Sequence, residues 1–155
     1  MDLLIAAIGL LTRGPEYELV EDYAKRTTRA GRPIGLGPLH LTEISGRRIK
    51  TVTDQSARLW QASEGALRIV LDERGRQFSS ADFATRLADW RDRGQSRAAF
   101  LIGGASGHDA SLRERADLLL SFGPMVWPHA LARVMLAEQI YRAVSILAGT
   151  PYHKA

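Results

Sequence analysis

The stretch from His129 to Ala148 constrains this chain more than any other. It reads as one helix, and its large apolar residues (Leu131, Val134, Met135, Leu136, Ile140, Tyr141, Val144, Ile146 and Leu147) go nearly all the way round it. A surface helix would confine them to one stripe, whereas a helix apolar on every side must be covered on every side. That is hard to achieve from within for the last helix of a 155-residue chain. Two arrangements meet the demand. One is a central core helix in which Glu138 and Arg142, spaced i,i+4, satisfy each other. The other is a two-fold interface with a second copy, making a homodimer. Directly after the helix comes a short tail, Pro151-Tyr152-His153-Lys154. Chain ends are usually solvated, but this one carries a phenol, an imidazole and an ammonium group straight off a buried helix. It is placed to enter a site.

The rest of the chain alternates apolar runs with amphipathic segments. Strands are expected over 3–8, 39–44, 67–71, 98–102 and 118–122. The first is apolar throughout, as in a parallel strand covered on both faces. The second alternates with period two and keeps a polar face, which suits a sheet edge. Helices are expected from Pro15 to near Gly31, from about Thr53 to Glu64, and from Ser79 to Gly94. Ser79 and Asp82 form a capping box for the last of these. Strands separated by helices imply one α/β domain over 1–155, a parallel sheet of about five to six strands with helices on both faces.

Several function classes are excluded. The chain has no cysteine, hence no disulfide, thiolate nucleophile or iron–sulfur cluster. His40, His108, His129 and His153 lack metal-ligand spacing, so no metal is expected. The turn after the first strand, 9–14, lacks the G-x-G-x-x-G spacing, which disfavours a Rossmann-type nucleotide enzyme, and no P-loop or G-x-S-x-G elbow occurs. The run Leu3–Leu11 follows Asp2, has no small-residue cleavage site and is too short to span a bilayer. A cytoplasmic protein without membrane contact is expected. Charge points to a polyanion: Lys25 to Arg58 holds eight basic and two acidic residues within a chain of net charge +4. Arg47 and Arg48 lie in its loop.

Ligands of open α/β sheets bind outside the carboxyl ends of the strands. Three of those ends are unusual: Leu71-Asp72-Glu73-Arg74-Gly75, Gly103-Gly104-Ala105-Ser106-Gly107-His108, and Gly123-Pro124-Met125-Val126-Trp127-Pro128. Glycines there let a ligand approach the backbone, and an apolar loop between prolines makes a stiff wall for a flat ring. The pattern suits an organic cofactor held mainly by backbone.

Together these stretches resemble a known family. Ala7-Ile8-Gly9, Tyr23-Ala24-Lys25-Arg26, Leu71-Asp72-x-x-Gly75, Phe100-Leu101-Ile102-Gly103-Gly104-x-x-Gly107 and the run from His129 through Glu138-Gln139-x-Tyr141-Arg142-Ala143 to Pro151-Tyr152-His153 match the ribosomal RNA large subunit methyltransferase H family. These are SPOUT-class pseudouridine N3-methyltransferases, and the match covers the whole chain. The resemblance implies a SPOUT-type α/β trefoil knot. It also implies a homodimer and S-adenosyl-L-methionine as cofactor, held by Leu71, Gly103, Gly104, Gly123, Pro124, Met125, Val126, Trp127 and Pro128. It implies a substrate, ribosomal RNA, presented in the assembled ribosome. Arg142, Tyr152 and His153 take the catalytic side. Arg133 joins Arg47 and Arg48 on the substrate side. The chain departs from the family at Leu10, where a lysine is usual, and at Ala105-Ser106, where the family often has Pro-Glu. A non-catalytic RNA-binding module on the same fold is the alternative.

Overall fold

A computed structural model describes residues 1–153. Lys154 of the tail lies outside the described residues. Five strands, β1 (Asp2–Ile8), β2 (Leu39–Ile44), β3 (Leu67–Arg76), β4 (Arg97–Ile102) and β5 (Leu118–Leu120), form one sheet in the order β2-β1-β4-β3-β5, every pair parallel. Among the described residues α1 (Pro15–Gly31), α2 (Val52–Ala62), α3 (Ser80–Asp92) and α4 (Ala110–Arg115) join successive strands, a 3-10 turn (Arg32–Ile34) follows α1, and α5 (His129–Leu147) comes after β5.

The apolar run of β1 explains the layering. Leu3, Ile5 and Ala7 point to one face and pack with residues of α1, α3 and α5. Leu4, Ala6 and Ile8 point to the other and meet Leu59 of α2 and Leu112 of α4. Alternate side chains of a strand face opposite sides, so a run apolar at every position needs helices on both faces, and has them. β2 is an edge strand, as its alternation indicated, with His40 and Thr42 exposed. The capping residues also act as expected: Ser79 Oγ accepts from Asp82 N at 3.1 Å.

Three features depart from the sequence reading. β3 runs on to Arg76 rather than stopping at Leu71, with a register shift that pairs Arg76 with Leu120. The polar run Asp72-Glu73-Arg74-Gly75 reads as a turn, but it folds over the outer edge strand. A Cβ on Gly75 would lie 2.6 Å from the Leu119 carbonyl carbon, so only glycine allows this crossing. β5 stops at Leu120 because Ser121 turns inward, donating its N–H to Arg76 O at 3.0 Å and its hydroxyl to Glu73 O at 3.2 Å. The short helix α4 was not foreseen; Asp109 caps it by accepting from Leu112 N at 2.7 Å.

The final helix divides along its length. Leu136, Ala137, Ile140, Ala143 and Val144 are buried between α1, α3 and the sheet. Val134 and Met135 are half-buried and Leu131 is exposed. α5 is thus a core helix that still leaves apolar surface uncovered toward its N-terminal end.

Candidate functional site

The outer part of β3 and the loops after β4 and β5 close round a cavity of about 440 Å3. Leu71, Gly103, Gly104, Gly123, Met125, Val126 and Trp127 all line it. Pro124 and Pro128 belong to the same loop but are not in the wall. The physical role of the two central glycines differs from the one inferred. A Cβ on Gly103 would stand 2.6 Å from Gly107 O, and one on Gly104 would stand 2.6 Å from Gln55 Oε1. The glycines let the loop fold back on itself and onto α2, and the loop in turn shapes the cavity.

His108, at the end of that loop, is buried and lines the same cavity. Its Nε2 is 3.0 Å from Leu71 O, an acceptor only, so Nε2 carries the hydrogen. Burial is the main force holding the imidazole below its ordinary pKa; Asp72 and the Leu71 hydrogen bond oppose it. A neutral ring then has a lone pair on Nδ1, which finds no partner among the described residues. This histidine was not singled out by sequence reasoning, because its partner lies 37 residues away.

The tail forms a second cluster. Glu138 Oε1 accepts from Arg142 Nε at 3.0 Å, from Arg142 Nη2, and from the Tyr152 hydroxyl at 3.0 Å. Its other oxygen accepts from Gln139 Nε2 at 2.8 Å. Arg142 also lies over the Tyr152 ring, 4.9 Å from its centroid, and its Nη1 is 3.4 Å from His153 Nδ1. A guanidinium can only donate, so His153 accepts on Nδ1. Tyr152 additionally meets the Tyr23 hydroxyl of α1 at 3.4 Å. Burial, then the bonds to Tyr23 and Glu138, push its phenol well above its ordinary pKa, so it stays protonated. Arg142, Tyr152 and His153 are therefore brought together, and Glu138 is the hub that holds them. The i,i+4 spacing signalled its pairing with Arg142, but not that role.

The tail cluster does not line the cavity between the turns. It borders a separate groove of about 460 Å3 that includes Tyr23, Met135 and Glu138. Leu120 and Phe122 line both spaces and separate them within one chain.

Arg133 requires a correction. It does not face a substrate surface but is 4% exposed and ion-paired with Glu43 of β2. Its Nη2 also donates to Gly9 O at 3.1 Å and lies 3.4 Å from Ile8 O. A buried guanidinium needs acceptors; Glu43 and the end of β1 supply them for Nη1 and Nη2, while Nε has no partner among the described residues. Arg47 and Arg48, by contrast, are exposed on the loop after β2. Among the described residues no cluster of potential metal ligands occurs, and no helix is long and apolar enough to cross a membrane.

Comparison with known proteins adds a lineage to this geometry. Residues 1–153 match the family model described as predicted SPOUT methyltransferase. The proteins named ribosomal RNA large subunit methyltransferase H from Roseobacter denitrificans and Maricaulis maris are each 54% identical over 155 residues, covering 99% of both chains. The one from Paracoccus denitrificans is 53% identical over the same span. Among solved structures, the SpoU methyltransferase AviRb from Streptomyces viridochromogenes, in complex with AdoMet, aligns at a TM-score of 0.43 and 14% identity, over 91% of this chain and 57% of that one.

Proposed function

The chain belongs to the SPOUT methyltransferase family, and from that premise we propose that it methylates N3 of a pseudouridine in large-subunit ribosomal RNA, on the assembled ribosome, with S-adenosyl-L-methionine as donor. The observation that carries the reading is the single cavity formed by the three strand ends. Full-length similarity to proteins named for that class of substrate supports it.

The residues present fit the cofactor. The cavity joins the glycine-bearing loop after β4, shaped where a Cβ at Gly103 would collide with Gly107 O, to apolar side chains such as Leu71, Ile102, Met125 and Trp127. His108 Nδ1 adds a buried acceptor without a partner. When bound, S-adenosyl-L-methionine supplies a methyl group already activated on a sulfonium. The chain's own task is then to bind, to orient and to manage one proton. The 71–74 stretch of β3 and the loops after β4 and β5 hold the donor. Fixing two reactants in near-attack geometry is worth roughly 7–11 kcal/mol of barrier.

At the acceptor ring, the methyl group replaces the N3 hydrogen, whose proton passes to solvent at the half-exposed tail because every basic atom of the cluster is already engaged, and negative charge grows on the flanking carbonyl oxygens as that proton leaves. Arg142, held by Glu138, is the cation to stabilise them. Tyr152, kept protonated and donating its one hydrogen to Glu138, holds the carboxylate that orients Arg142 and is not the base. His153 accepts from Arg142 on Nδ1 in the same place.

One chain keeps this cluster apart from the cavity, which favours a homodimer in which a second copy completes the site. Met125, Val126, Trp127 and Leu131 are exposed apolar residues beside the cavity and at the start of α5. A two-fold contact there would cover them. The irregular passage of 72–76 along β5, and the packing of α5 on α1 and α3, are compatible with the trefoil knot of this class. We read the chain as one domain acting in the cytoplasm, without a membrane or a metal, its basic segment supplying phosphate contacts.

The test is direct. Ribosomes from cells lacking the gene are incubated with the protein and S-adenosyl-L-methionine, and the ribosomal RNA is mass-mapped. One added methyl on a large-subunit fragment is expected. If calorimetry shows cofactor binding but the RNA stays unmodified, the substrate is wrong. If the cofactor does not bind either, the chain is a non-catalytic RNA-binding module.

A further inference from the structure

A second cavity, of about 720 Å3, lies between the loop after β2 and helix α2, outside the site just described. Arg47, Arg48 and Arg58 stand round it, and Ile44, Ile49 and Ala62 give it an apolar wall. All three arginines are exposed, and among the described residues none has a carboxylate within salt-bridge distance. The one acidic residue at the cavity, Glu43, is already committed. It pairs with Arg133 and accepts the Leu11 N–H at 3.1 Å. Three uncompensated guanidiniums round an apolar wall repel one another unless an anion joins them. The volume falls within the roughly 300–1,000 Å3 of sites that hold one small ligand or ligand segment.

Position narrows the occupant. β2 and β4 are separated only by β1, and neighbouring strands lie about 4.8 Å apart. The basic cavity therefore opens on the same sheet rim as the glycine turn after β4, about 10 Å along. Gln55 of α2 joins the two: its Nε2 donates to Ile49 O at 3.0 Å, and its Oε1 lies against Gly104.

We infer that this cavity is a subsite for the substrate RNA, holding a nucleotide close to the target base. The phosphate sits on Arg47, Arg48 and Arg58, and the base rests against Ile44 and Ile49. The inference rests on the RNA methyltransferase reading and adds to it a residue, Arg58, and a defined place of contact.

Arg58→Gln tests it, since an exposed helix residue can change without loss of fold. The probe is the ribosome itself, with binding measured over a salt series and methylation kinetics alongside. The KM for ribosomes should rise about tenfold, the loss of one charge-assisted hydrogen bond, while kcat and cofactor affinity stay unchanged. The slope of log affinity against log salt should fall by about 0.7, one single-strand phosphate contact. Arg93→Gln, which removes an exposed charge at the end of α3, is the control and should alter neither quantity. If Arg58→Gln behaves like Arg93→Gln, the subsite is wrong. If the unaltered protein methylates no ribosome, the enzymatic reading fails by itself, and the salt slope still judges the subsite.

Discussion

Arg133 and Arg142 stand nine residues apart on α5, about half a turn round its axis from each other. Each is paired with a carboxylate, yet the two ends of the helix do different work. The Arg133 side chain is 4% exposed, and its partner Glu43 comes from β2, so the pair fastens α5 to the sheet. The Arg142 side chain is 26% exposed, and its partner Glu138 comes from the same helix. Burial pulls Arg133 below its ordinary pKa, whereas the bond to Glu138 lifts Arg142 above it. Both stay charged, but only Arg142 combines a held orientation with access to a ligand. The difference between an arginine that stabilises the fold and one that can meet substrate is set by where the carboxylate comes from and whether solvent reaches the pair.

The contrast breaks first at Glu43. Glu43→Gln leaves Arg133 buried without a counter-charge, and loss of one partner of a buried pair costs about 3 kcal/mol. Urea unfolding should show that loss. Unchanged stability with methylation abolished would return Arg133 to the substrate side. Arg142→Lys keeps the charge but removes the two-point contact with Glu138. It should lower kcat about 10²-fold, within the range of positioned proton-transfer and charge-stabilising groups. Stability should move by less than about 1 kcal/mol, as for partly exposed pairs. If stability falls as far as in Glu43→Gln, the two ends are not distinct. Tyr152→Phe removes the hydrogen bond to Glu138 and the longer one to Tyr23 and should cost about 1 kcal/mol in the barrier, read as a several-fold drop in kcat with cofactor affinity intact. A tail that merely caps the helix would leave kcat untouched.

The sequence shows much of this architecture, and the failures have a common cause. The apolar run of β1 and the alternation of β2 told their burial directly, because a strand's two faces are written in its period. The three glycine-bearing strand ends marked the cavity, although Gly103 is required by the loop's own backbone and Gly104 packs against the movable Gln55 side chain. Glu138 and Arg142 are four residues apart, so their pairing was legible as well. Arg133 was misread because its partner lies 90 residues away and an arginine on a helix looks the same whether it faces water or a carboxylate. His108 and the passage of 72–76 over β5 were invisible for the same reason: each depends on a neighbour brought close only by the fold.

His108 and His153 repeat the contrast of the two arginines in a titratable form, and they sharpen it with the smallest expected effect. His153 sits in the half-buried tail, whereas His108 is 4% exposed against Leu71 and is held below its ordinary pKa of 6.5 chiefly by burial. Asp72 and Asp109 nearby oppose that shift, and Arg113 adds to it. Below pH 6.5 the unfolded chain takes up a proton that folded His108 refuses, so acidification favours unfolding. Stability should therefore fall as pH drops from about 6.5, with a slope no greater than about 1.4 kcal/mol per pH unit, the ceiling for one proton. His108→Leu removes that component whatever it does to stability at neutral pH. Urea midpoints measured from neutral to mildly acidic pH should give a shallower dependence for His108→Leu than for the unaltered protein. Equal slopes in the two would mean that the imidazole lining the cavity is hydrated, and that the cavity wall is less firmly packed than the Leu71 contact indicates.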